Sequence, residues 1–184
     1  MLDGELEDYL MMNIFDKKVK KNLGRYLFQC GLATATILLI LIFLDILTHT
    51  AIIATLGATA FIVFTMPKAY SSGPRPLFGG YLIGICVGCL FSFLTNSILK
   101  VPIIFTQITA DILFGALAVG VAIFLMAITN TEHAPAAGMA LGLVLNEWDY
   151  LTIAFIFAAV MLMAGLKEFL KSILIDLRDV SGPE

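Results

Sequence analysis

Charge is what this sequence has least of: only 14% of its 184 residues are Asp, Glu, Lys or Arg, against roughly a quarter in a soluble globular domain. That is too little to coat a water-facing surface. With 60% hydrophobic residues and a mean hydropathy of +0.97, the chain reads as one that lives in lipid. Histidine is scarce too, His49 and His133 being the pair present, which leaves no set of imidazoles for a metal centre. Of the three cysteines, Cys86 and Cys89 stand at C-x-x-C spacing. They lie inside an apolar run with no second pair and no βαβ setting, so zinc and redox roles are set aside, and the thiols are read as free and buried in a helix. No serine, histidine and acid arrangement suggests nucleophilic catalysis. The expectation is therefore not an enzyme, with no cofactor and no metal.

What the sequence has in quantity is long uncharged runs: Tyr26–Leu44, Ile46–Pro67, Pro76–Leu99, Ile112–Thr131, His133–Asn146 and Tyr150–Leu166. About 20 apolar residues of helix cross a hydrocarbon core of ~30 Å, so most of these runs are long enough to span. A β-barrel would instead show alternating segments of roughly ten residues, and these runs do not alternate. The fold class expected is an all-α integral membrane protein with about six transmembrane elements, four long and two short. Residues 1–22 are expected as a cytoplasmic N-terminal segment, 23–171 as one transmembrane domain and 172–184 as a cytoplasmic tail. So little mass lies outside the membrane that no soluble catalytic or nucleic-acid-binding domain fits; the lipid bilayer is the first partner. The acids Asp3, Glu5, Glu7 and Asp8 ahead of the first basic cluster do not read as a secretory or transit signal. The inner (plasma) membrane of a prokaryote is the simplest location.

Orientation follows from lysine and arginine. Six crossings with both termini inside put all of the 11 basic residues except Lys100 in the cytoplasm, as the positive-inside rule asks. Four crossings with two re-entrant elements would place all but Lys68 and Arg75 there, so the preference for six is small.

The short elements, about Thr50–Met66 and Ala134–Asn146, occupy corresponding places in a long, short, long pattern that occurs twice. Short segments in matching positions of two halves mark transporter-type binding sites, and three crossings per half would make the repeats inverted. Both short elements carry small residues around a glycine, Ala54–Ala60 about Gly57 and His133–Ala140 about Gly138, though close-packed membrane helices are rich in Ala and Gly for packing alone. Gly80, Gly84 and Gly88 share one helix face. Tight packing within the subunit is the first reading of that face; a homo-oligomer interface or a pore-facing groove is the other.

Several polar groups sit near the apolar runs. Thr129, Asn130, Thr131, Glu132 and His133 lead into Pro135 and Gly138, a helix start whose free N–H groups favour an anion; the plainer reading is that Asn130 or Thr131 caps a helix. Thr55, Gly57 and Thr59 of the first short element face the same task, and Arg75 in a Pro-rich loop can pair an anion or a lipid phosphate. His133 would add a switchable positive charge. Glu132 and Asp111 are the expected proton or cation coupling sites.

The stretches Leu56-Gly57-Ala58-Thr59-Ala60, Pro74-Arg75 followed by Gly79-Gly80, and His133-Ala134-Pro135-Ala136-Ala137-Gly138 resemble the HPP family of integral membrane proteins, in order from about residue 24 to 170. This chain has Ala134 at the first proline of the motif, Pro76 where a polar residue is usual, and Tyr81 where a histidine often follows Gly-Gly. The resemblance implies transport of a small inorganic anion, most readily nitrite. The alternative is a non-transporting assembly or regulatory subunit, in which the glycine faces serve packing.

Overall fold

The computed structural model describes residues 17–43, 50–98 and 107–177; His49, Asp45, Lys100 and the outer parts of both terminal segments lie outside them. The described residues form six α-helices and no strand: α1 Lys17–Phe43, α2 Thr50–Thr65, α3 Pro74–Ile98, α4 Gln107–Thr129, α5 Ala134–Leu145 and α6 Tyr150–Leu170, with a 3₁₀ turn at Tyr70–Ser72. Four are long and apolar enough to cross a membrane, α1 from Asn22 onward together with α3, α4 and α6, while α2 and α5 are the shorter pair. The chain is thus a multi-pass helical membrane protein.

Local chemistry sets the helix ends. Proline stands at the first residue of α3 and the second of α5, where its missing N–H removes no helical bond. Asp149 caps α6, its carboxylate accepting from the Thr152 amide at 2.7 Å. Asn130 ends α4 in the left-handed region at φ 55°. Around it the Thr131 amide reaches the Met126 carbonyl at 2.9 Å and the Asn130 amide the Ala127 carbonyl at 3.3 Å, the paired bonds of a Schellman stop. Glycine adopts this conformation freely whereas a β-branched residue resists it. Asn130→Gly is therefore expected to unfold within a few tenths of a kcal/mol of the parent, and Asn130→Val to lose about 1–2 kcal/mol, measured by thermal unfolding in detergent; equal stability of the two would remove the cap from the account.

The helices alternate in direction. Gln29, midway along α1, donates to the Phe64 carbonyl near the end of α2 at 2.6 Å, and the groove between the two helices is lined further along α1 by Ile37 and Leu38 and earlier in α2 by Gly57. Gly80, Gly84 and Gly88 of α3 meet, in order, His133 and Ala136, Ala136 and Met139, then Ala140 and Leu143, so α3 and α5 run parallel. Gly142 lies against Ile52 and Gly138 against Thr55, so the two short helices are antiparallel. Gly115, early in α4, meets Leu141, late in α5. Trp148 donates to Ser92 at 3.1 Å and Lys167 to the Ser72 carbonyl at 2.5 Å, which sets α6 antiparallel to α3.

One end of the bundle therefore gathers the Tyr26–Gln29 stretch of α1, the 66–73 loop, the 130–133 connection and the end of α6. Past α6 the chain folds back: Leu177 donates to the Thr65 carbonyl at 2.8 Å, and its own carbonyl accepts from Tyr26 at 2.5 Å. Among the described residues Arg25, Lys68, Arg75, Lys167 and Lys171 lie at this end together with Glu132, Glu168 and Asp176, and Asp111, Glu147 and Asp149 lie at the other, with no basic residue.

At the centre is α5. It is enclosed by α2, α3 and α4, and Ala136, Met139, Ala140 and Leu143 are fully buried. The glycines of α3 make this possible by letting its backbone approach that of α5, so the Gly80, Gly84 and Gly88 face is spent on packing within the chain. By contrast Phe93, Ile112, Phe124, Ile128 and Phe169 point outward, which in a membrane protein is the lipid-facing surface. Cys86 is exposed on that surface and Cys89 is half-buried. This corrects the expectation of buried thiols: Cys86 falls on the side of α3 away from the Gly80, Gly84 and Gly88 face that packs on α5. Among the described residues no group of metal-ligating side chains assembles.

Candidate functional site

In this apolar core one polar cluster stands out. Thr59 of α2 lies 2.7 Å from the hydroxyl of Tyr81 in α3 and 3.0 Å from Nε2 of His133, the residue capping α5. On its other side the imidazole places Nδ1 2.8 Å from the Ser71 carbonyl. Thr59 and Tyr81 are 0% exposed and His133 1%. Each side chain is set by its helix: Thr59 lies one turn beyond Thr55 on the face of α2 that meets α5, and Gly80 leaves room for His133, since a Cβ there would approach the His133 Cβ to 2.9 Å. Gly79 does the same for Thr131, at 2.6 Å.

The polarity of the cluster follows by elimination. A carbonyl only accepts, so Nδ1 carries the hydrogen donated to Ser71. In the neutral ring Nε2 then only accepts. Thr59 must donate to it, and Tyr81 donates to Thr59. Burial lowers the pKa of His133, outweighing the Ser71 carbonyl, which raises it, so the neutral form holds near neutrality. This changes the expected role: His133 is a bonded, uncharged member of a network, not an exposed switchable charge. Among the described residues no buried side-chain nitrogen or oxygen lacks a partner.

The 66–73 loop is clipped over this cluster. Tyr70 donates to the Asn130 carbonyl at 2.5 Å and Arg75 to the Thr129 carbonyl at 2.9 Å, while Lys167 donates to both the carbonyl and the hydroxyl of Ser72. The 66–73 loop, the start of α3 and the α4–α5 connection are thereby tied together; Arg75, expected in a loop, lies in the first turn of α3, which begins at Pro74.

The residues singled out from the sequence divide accordingly. Thr55, Thr59 and His133 come together, with buried Pro135 and with Gly138, where a Cβ would meet the Thr55 methyl at 3.0 Å. Arg75 and Asn130 are exposed and act in the clip and the helix stop. Gly57 has nothing within 4 Å of where its Cβ would be and faces an apolar groove of about 470 Å³ between α1 and α2; its surroundings differ from those of Gly138. Glu132 is exposed, and Asp111 lines a separate polar recess of about 780 Å³ at the other end of the bundle, with Asn96, Asn146 and Glu147. Tyr81 was noted in the sequence only as a departure from a motif, and Ser71 contributes a backbone atom without a side-chain signature.

Residues 18–172 match the family described as HPP, transmembrane region. The chain belongs to this family. A curated transmembrane protein of Dictyostelium discoideum is 32% identical to this HPP chain over 90 residues, which are 49% of the chain and 28% of that protein; the chain spans under a third of the relative it matches. No solved structure matches it. The assigned segment contains every helix from α2 to the end of α6, and the Thr59, Tyr81 and His133 cluster lies inside it.

Proposed function

We propose that this HPP protein is a transporter of a small inorganic anion, with nitrite the favoured substrate. The observation that carries the reading is the buried Thr59, Tyr81 and His133 cluster, which links side chains of three elements where the two short helices meet and next to the α5 N-terminus. Buried ionisable and polar residues in the interior of a membrane bundle are candidates for a substrate or ion pathway. The antiparallel crossing of α2 and α5 supports taking α1–α3 and α4–α6 as inverted halves around that place. The basic end is taken as cytoplasmic by the positive-inside rule, with both termini there.

Uptake of nitrite by liposomes containing the pure protein, above that of protein-free vesicles, is the expected result. A second reading, a non-transporting assembly protein, draws on the Gly80, Gly84 and Gly88 face being wholly used in packing within the chain. It predicts vesicles no more permeable than controls.

A further inference from the structure

We propose that His133, Thr59 and Tyr81 form a reversible hydrogen-bond relay that takes up one proton together with each transported monovalent anion. This rests on the anion-transport reading.

Three elements meet in the relay, and its far end has a spare acceptor. The Tyr81 hydroxyl lies 3.5 Å from the Thr55 carbonyl, longer than an ordinary hydrogen bond. In the neutral state the chain runs from Tyr81 to Thr59 to His133 to Ser71. When a proton is added at Nε2, that nitrogen becomes a donor to Thr59, Thr59 turns its hydrogen to Tyr81, and Tyr81 turns its own to the Thr55 carbonyl. Both hydroxyls rotate and keep their own hydrogens, so one proton enters from solution and none leaves. Every donor has an acceptor in both states.

Among the described residues no carboxylate is hydrogen-bonded to His133 to balance the added charge. The hydrogen-bond partners of His133 are a carbonyl and a hydroxyl. Among the titratable and charged groups around it, α2 presents none, α3 presents the neutral Tyr81, and Arg75 at its start is bound to the Thr129 carbonyl. From α6, Lys167 reaches Ser72, one residue beyond the carbonyl that His133 holds, with Glu168 and Asp176 acting on its charge; neither carboxylate bonds the imidazole. Adjacent Glu132 is exposed. A buried cation without a partner is strongly disfavoured, so the proton is held when an anion accompanies it. By linkage the anion then binds better where protons are available.

The test uses proteoliposomes at fixed external nitrite, corrected for protein-free vesicles, with and without an inside-alkaline pH gradient. Gradient-driven uptake is expected, with apparent affinity tightening by up to about tenfold per unit of falling external pH. Thr59→Val and Tyr81→Phe should each lose most of that pH dependence, and Thr59→Ser should restore it. Thermal unfolding identifies any variant that fails to fold, and the other then decides. Uptake indifferent to the gradient would overturn the relay and leave anion transport standing, as would gradient-driven uptake unchanged in both variants. No uptake under any condition would overturn both.

Discussion

Gly84→Ala is expected to lose about 3 kcal/mol or more of stability, enough to prevent accumulation of folded protein. A Cβ at this position would lie 2.2 Å from the carbonyl oxygen of Ala136 and 3.1 Å from its carbon. The obstacle is backbone, not the flexible end of a side chain, and it belongs to the helix least able to move. On its other faces α5 is held by Ile52 against Gly142 and by Leu141 against Gly115, so a retreat from α3 drives it into α2 or α4. Gly120→Ala and Gly165→Ala supply the control, because nothing lies within 4 Å of either added carbon; these should be neutral or slightly stabilising through helix propensity. The three variants are compared by unfolding in mixed micelles. A Gly84→Ala protein as stable as Gly120→Ala would show that α3 and α5 are not in contact as described.

His133→Ala is the second large effect. It removes two buried hydrogen bonds, takes the imidazole donor from the Ser71 carbonyl, leaves the Thr59 hydroxyl with Tyr81 alone and opens a void, together worth about 2–4 kcal/mol. Its burial and two bonds make it part of the fold as well as of the candidate site. Stability should also depend on pH through this ring. Burial holds the folded imidazole below its ordinary value, near 6.5 in the unfolded chain. As pH falls the unfolded state takes up the proton first, so the stabilisation is complete above about pH 6.5 and declines below it. The melting temperature of the parent in detergent should fall over that range. In His133→Gln, which carries no titrating ring, this part of the fall should vanish. A profile identical in the two would show that His133 does not titrate differently on folding.

The six helices were legible because lipid imposes a simple rule: charges mark the ends of apolar runs, and Pro74, Pro135 and Asp149 fix the starts. The core position of the second short helix was legible in part, from the glycine spacing of α3. Half of the candidate site was legible as well, since Thr59 and His133 are polar residues in apolar surroundings. Tyr81 was not, because an aromatic residue in a membrane helix usually packs against lipid or other side chains, and only the tertiary pairing of α3 with α2 and α5 sets its hydroxyl beside Thr59. Gln29, which joins α1 to the Phe64 and Ile175 carbonyls, escaped for the same reason. Asp111 and Glu132 drew attention by their charge. The fold places Asp111 at the other end of the bundle and turns Glu132, although next to His133 in the chain, outward to an exposed position.

The shortness of α5 has an electrical meaning. Its 12 residues span about 18 Å at 1.5 Å per residue, and beyond its last turn lies the polar recess with exposed Asn96 and Glu147 on its rim. Low-dielectric material is therefore thinnest along this axis, and an energised membrane drops its voltage there over little more than half the usual ~30 Å. A lone anion travelling that line does electrical work of roughly 2.3 kcal/mol per 100 mV, compressed into a few helical turns and directed outward by an interior-negative potential. An anion escorted by a proton carries no net charge, and the same steep field has no hold on it.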